Sequence, residues 1–374
     1  MATHFPAVRA AMTRYFVLSA LPALFAFCCG VAFAADAPSA SEDLRASYAM
    51  PHRLVDVDAG RKLNLYCIGE GAPTVVFESG LSDWSNTWAL IQPMIAKRTR
   101  TCSYDRAGMG YSDPVAPGAR MPEAAVQDLK TLLDRAGIDG PLVLVGHSLG
   151  GFYAKLFALT YPERIAGLVL VDPSEDRLWP RVWPKLEPQY GGSLVRKAAR
   201  GDEEGIGELL THFRDCANDA REGRMDDARY RQCTDPPRAP LGDAILAERK
   251  RLQESPAYQQ TQYDELLGSP FVTHADADRR YAALFSAGAL GKRPVVVLTH
   301  GLHDMSEDTS ILQFLSYKLA HVQSAALSRR GTHVIVPYSR HNLQVENPDV
   351  VIEAIGQVLD ALPTHTDAGN AQPH

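Results

Sequence analysis

The sequence predicts an α/β fold built on an eight-stranded, mostly parallel sheet flanked by helices. Three observations carry that prediction. Eight short runs rich in β-branched residues recur along the chain, and from the third onward they mostly alternate with segments of helical periodicity. The run in PLVLVGHSLGGF (141–152) breaks at a serine set among glycines, between a strand pattern and a helix pattern.

The runs are 53–59, 62–69, 74–80, 99–105, 142–148, 167–172, 294–300 and 333–339. The first two lie close enough for a hairpin, while parallel neighbours need crossovers, which the intervening helices supply. At 122–136, Val126, Leu129, Leu132 and Leu133 form one apolar stripe; at 348–362, Val351, Ile355, Val358, Leu359 and Leu362 form another. Residues 174–290 contain no convincing β run and are rich in charge, Trp, Pro and Gln, so they read as a helical lid inserted between core segments 51–173 and 291–362. The polar tail 363–374 reads as disordered.

The 374 residues, 45% hydrophobic and 22% charged, can bury a large core. Net charge is −6 and the basic residues are scattered, which leaves nucleic acid without a footprint. Arg9 and Arg14 precede an apolar stretch ending in Ala32-Phe33-Ala34, so residues 1–35 read as an export signal cleaved near residue 34. The apolar stretch, at about 20 residues, also suits an uncleaved anchor. Pro22, Gly30 and the A-x-A ending favour cleavage, hence a secreted or periplasmic protein with no remaining membrane span. Cys67, Cys102, Cys216 and Cys233 would remain, in a compartment where disulfides persist. Of three connectivities, Cys67–Cys102 and Cys216–Cys233 keep each pair within one structural layer; buried free thiols are the alternative.

Gly146-His147-Ser148-Leu149-Gly150 is G-x-S-x-G directly after an apolar strand and before a helical run. A turn this tight strains the serine backbone and projects its hydroxyl above the sheet, beside the amides of a helix N-terminus. Ser148 is therefore the candidate nucleophile. A serine needs a base, and His341, in the loop after the last strand, is the best placed of the histidines; His333 sits inside the strand run, and His300, His303 and His321 lie upstream. For the acid, Asp304 follows the 294–300 strand and preserves the order Ser, Asp, His; Asp172, ending the preceding strand, is the alternative, with Asp308 behind both. His300-x-x-His303-Asp304 also admits a weak metal reading, but the chemistry proposed needs neither metal nor cofactor. The N–H groups of Leu149 and Leu81 are the candidate oxyanion donors. Glu78 is an unexpected carboxylate there, and pairing with Arg106 would let it brace the loop.

Together GHSLGG, VVFESGLSDW, TCSYDRAGMGYSDP and SRHNLQVENPDVV make the chain resemble the α/β-hydrolase superfamily from about Pro51 to Leu362, the lid excepted. The resemblance implies Ser148 as nucleophile, His341 as base, Asp304 as acid, and Leu81 and Leu149 as oxyanion amides. Its strand order would set the second and fourth strands side by side, supporting a Cys67–Cys102 bridge. Glu78-Ser79-Gly80 stands where many members carry His-Gly. The expected function is an exported serine hydrolase acting on a small-molecule carboxylic ester. An amidase or aminopeptidase, which would need acids such as Asp202, Glu203 and Glu204 to hold an amine, and a non-catalytic binding protein are the alternatives.

Overall fold

The computed structural model describes residues 44–363, apart from 59, 119 and 273. The expected signal at 1–35 and nearly all of the expected tail lie outside them. The strands are β1 (Arg53–Asp58), β2 (Arg61–Ile68), β3 (Thr74–Glu78), β4 (Thr101–Tyr104), β5 (Leu142–His147), β6 (Ile165–Val171), β7 (Pro294–His300) and β8 (Arg330–Val336). They form one sheet in the order β1-β2-β4-β3-β5-β6-β7-β8. β2 runs antiparallel to β1 and β4, and every other neighbouring pair is parallel.

The principal helices are α1 (Pro122–Ala136), α2 (Leu149–Thr160), α3 (Trp183–Tyr190), α4 (Gly192–Arg221), α5 (Asp243–Gln253), α6 (Pro256–Gly268), α7 (Ala275–Leu284), α8 (Asp308–Ala325) and α9 (Pro348–Asp360). The central strands are apolar throughout because both faces are covered. Leu142, Leu144, Leu168 and Leu170 pack with Leu129 and Leu133 of α1 and Phe152 and Phe157 of α2. Their neighbours Val143, Val145, Val169 and Val171 point the other way, onto Val351, Ile355 and Val358 of α9 and onto Trp88. Period-two alternation thus feeds two cores from the same strands.

All eight expected strands are present, but the last lies at 330–336 rather than 333–339. Pairing with β7 starts at Arg330 opposite Pro294 and ends at Val336 opposite His300. Pro337 then has no N–H for the ladder, and Tyr338 turns at φ 59°. The apolar HVIVPY run is therefore a misleading guide on this edge strand, where Val334 and Ile335 are exposed.

Between β6 and β7 the described residues hold helices α3 to α7, shorter helical turns and no strand. α3 and α4 share a small core with α8, built on Trp183, Leu186, Val195 and Leu312. Cys67 and Cys102 stand opposite each other across β2 and β4, their sulfurs bonded at 2.06 Å, and Cys216 of α4 is bonded to Cys233 at 2.04 Å. No helix among the described residues is long and apolar enough to cross a membrane.

Candidate active site

β5 ends at His147, α2 begins at Leu149, and Ser148 between them has φ 51° and ψ −124°. A side chain at positive φ is strained, so the surroundings must hold it. Ser148 N–H donates to Val171 O (3.1 Å), and Ser148 O accepts from Gly151 N (2.8 Å) and Ser174 N (2.8 Å). The flanking glycines permit the approach of three backbones. A Cβ on Gly146 would sit 2.4 Å from Gly150 O, and one on Gly150 would sit 2.3 Å from Ser79 O.

Ser148 opens into a cavity of about 640 Å³ also lined by Leu81, His147, Asp172, His300 and His341. Its Oγ lies 3.4 Å from Ser174 Oγ and makes no hydrogen bond with His341. Contacts of this kind commonly tighten only around a bound substrate.

The structure brings Asp172, not Asp304, to the histidine. His341 Nδ1 lies 2.6 Å from Asp172 Oδ2, whereas the Asp304 carboxylate is exposed and accepts from Ser306 N in its own loop (2.9 Å). The order Ser, Asp, His holds for either acid, so chain order could not separate them. Asp172, at φ 46° just beyond β6, is turned so that its buried side chain meets both His341 and His300. Burial pushes the Asp172 carboxyl up, but hydrogen bonds from His300 and His341 outweigh it and hold the group well below the usual carboxylate range. Desolvation works against the His341 imidazolium, yet the hydrogen bond and charge of Asp172 prevail and raise its pKa above the ordinary histidine value.

Leu149 N–H stands in the first turn of α2, where N–H groups find no intrahelical acceptor, and Leu81 follows Gly80 in the facing loop. Neither N–H is donated to a backbone acceptor among the described residues. The loop under Leu81 is braced as expected: Arg106 donates to Glu78 Oε1 (2.8 Å), to Ser79 O (2.5 Å) and to Gly80 O (2.7 Å). Tyr104 O–H bonds the other Glu78 oxygen. Burial raises the Glu78 pKa, with Arg106 and the Tyr104 hydrogen bond pulling the other way.

Residues 73–348 match the model for the alpha/beta hydrolase fold. The chain belongs to the α/β-hydrolase family. It is 34% identical over 123 residues to the 2-hydroxy-6-oxononadienedioate/2-hydroxy-6-oxononatrienedioate hydrolase of Paraburkholderia xenovorans, 32% of this chain and 42% of that one. With the 2-hydroxymuconate semialdehyde hydrolase of a Pseudomonas species it shares 34% over 118 residues, 31% of this chain and 41% of that one. The match spans less than half the length of these curated relatives. A thermophilic esterase from Thermogutta terrifontis superposes with a TM-score of 0.52 at 22% identity, covering 83% of this chain and 98% of its own. An enol-lactonase from Burkholderia xenovorans superposes with a TM-score of 0.50 at 19% identity, covering 82% and 99%. These two likenesses concern the fold.

Several features of this α/β hydrolase's site were invisible in its sequence. Glu265 of α6 holds Arg106 through Nε (2.7 Å) and a terminal nitrogen (3.0 Å). Asp83, next to Ser82 in the loop bearing Leu81, is buried between Arg238 (2.6 Å) and Arg249 (2.8 Å), while Ser82 bonds Gln262 and Tyr258. Burial pushes the Asp83 carboxyl up, but the two guanidiniums hold it well below the ordinary range. His147 Nε2 donates to His341 O (2.9 Å), tying the residue before Ser148 to the histidine loop. Burial, reinforced by His341, lowers the His147 pKa to about 3, so its ring is neutral.

The weak metal trio is dispersed: His300 bonds Asp172, His303 Nε2 donates to Ser310 O, and Asp304 bonds Ser306. Donor atoms of Asp172, His300 and His341 cluster, but both histidines engage the carboxylate through Nδ1, so the trio is a hydrogen-bonded set. Of the lid aromatics, Phe213 lines the cavity, joining Ile206 and Leu209 on one face of α4, while Trp183 packs into the α3–α4 core.

Proposed function

We propose that this α/β hydrolase is an exported serine esterase. Ser148 Oγ attacks the ester carbonyl carbon as His341 Nε2 takes its proton, and Asp172 fixes the tautomer and stabilises the imidazolium. The oxyanion is received by the N–H groups of Leu81 and Leu149. His341 returns the proton to the departing alcohol oxygen, leaving an acyl-Ser148. Water, deprotonated by His341, then releases the acid and restores the serine.

The observation carrying this reading is that Ser148, on its strained turn, and His341, bonded to Asp172, open onto the same cavity. The apolar wall from Ile206, Leu209, Phe213, Leu266 and Phe271 suits an ester with an apolar group. An amine-holding subsite finds less support. The cavity's Asp83 and Asp235 are paired with arginines, and Asp202, Glu203 and Glu204 do not line it. Export rests on the N-terminal sequence and the paired cysteines.

A fluorophosphonate probe is expected to label the protein, and Ser148→Ala to abolish labelling. p-Nitrophenyl esters of graded acyl length should be turned over faster than matched anilides. A folded protein that is never labelled would refute the serine-hydrolase reading, and faster anilide cleavage would replace esterase by amidase.

A further inference from the structure

Asp172 carries two imidazoles on one oxygen. His341 Nδ1 lies 2.6 Å and His300 Nδ1 2.7 Å from the same Oδ2, and His300 N–H donates to Oδ1 at 3.0 Å. Residue 300 therefore holds both oxygens of the carboxylate, once through its main chain and once through its ring. The hold matters because Asp172 sits at φ 46°, a conformation its backbone alone would not keep. His300 ends β7, and its ring is only 18% exposed.

We infer that His300 is a positioning residue, clamping the Asp172 carboxylate from two directions and sharing the oxygen that serves His341. The inference rests on the assignment of Ser148 and His341 proposed above. An oxygen accepting two hydrogen bonds directs less of its charge toward either donor, so the His341 imidazolium is stabilised less than it would be by an Asp172 serving it alone. The other groups bearing on His341 are Arg238 and Asp235 of the helical segment, together with His147, which bonds its carbonyl. His321 of α8 also bears on Asp172 electrostatically. None of these donates a hydrogen bond to Asp172 Oδ2.

Two measurements test this. Long-range proton–nitrogen correlation spectra of the labelled wild-type protein should show His300 as the Nδ1–H tautomer, assigned by its loss in His300→Leu. An Nε2–H tautomer overturns the clamp, and that reading needs no functional variant. Second, the rate at which a fluorophosphonate labels Ser148 is followed against pH in the wild type, His300→Leu and His300→Asn. Losing the ring donor should move the midpoint of the acid limb upward by about half a pH unit or more. Asparagine, whose side-chain nitrogen stands near the position of Nδ1, should return it to the wild-type value. A slower His300→Leu whose midpoint stays put shows a merely structural role and overturns the inference. Failure of the wild type to react at all counts against the serine-hydrolase assignment, while the tautomer still decides whether the clamp exists.

Discussion

Glu265 and Arg106 meet through two hydrogen bonds, 2.7 and 3.0 Å, and the same guanidinium holds the carbonyls of Ser79 and Gly80. The helical segment between β6 and β7 is thus fastened to the loop that presents Leu81. Glu265→Gln, which keeps the shape and removes the charge, should lower kcat while leaving KM nearly unchanged, because the role proposed for Leu81 acts on the transition state rather than on substrate binding. Arg106→Met, which strands two buried carboxylates, should destabilise the fold by about 3–5 kcal/mol in urea unfolding.

Asp172→Asn and Asp304→Asn separate the two candidate acids. Asparagine at 172 favours the wrong His341 tautomer, and p-nitrophenyl butyrate turnover should fall by about 10⁴-fold. At 304 the exposed side chain serves only its own loop, and the change should stay within about twofold.

The raised pKa of His341 sets the sign of the pH dependence. As imidazolium it cannot accept the Ser148 proton, so kcat/KM should decline as pH falls through a midpoint above the ordinary histidine value of 6.5. A midpoint below that value in the wild type would contradict the assigned partner.

His147, whose pKa is shifted the other way, bears on stability. Its folded pKa is lowered to about 3 from 6.5, so between those values the unfolded chain binds a proton that the folded chain does not. Unfolding free energy should therefore fall as pH drops from about 6.5 toward 3, and the slope should be shallower in His147→Gln. Equilibrium denaturation across that range reads both.

Removing a disulfide offers a further check. Cys216 and Cys233 lie 17 positions apart, and Cys216→Ala/Cys233→Ala should cost about 3 kcal/mol of stability by urea titration at constant pH.

The strands were legible because those buried on both faces must be apolar throughout, a pattern β5 and β6 display at every position from 142 to 145 and 168 to 171. β8 was displaced because an edge strand pairs wherever its neighbour offers partners, and Arg330-Gly331-Thr332 carries no apolar signal. Ser148 and His341, singled out as candidates by the turn after β5 and the loop after β8, open onto one cavity. Asp172 could not be ranked above Asp304, since chain order says nothing about the φ 46° turn that directs its carboxylate. The brace was half legible: Glu78 and Arg106 lie near each other in sequence, but Glu265 is 159 residues from Arg106 and Arg249 is 166 from Asp83. On their helices, those charges look like ordinary solvated faces.

The hydrogen bonds of Ser148 have an evolutionary consequence. Its N–H is held by Val171 O and its carbonyl by Ser174 N, so the peptide of Ser148 brackets position 172 through main-chain atoms alone. The spacing of serine and aspartate is thereby insulated from side-chain substitution. Side-chain changes in the wall formed by Ile206, Leu209 and Phe213 can reshape the cavity while these main-chain bonds keep Ser148 and Asp172 in place.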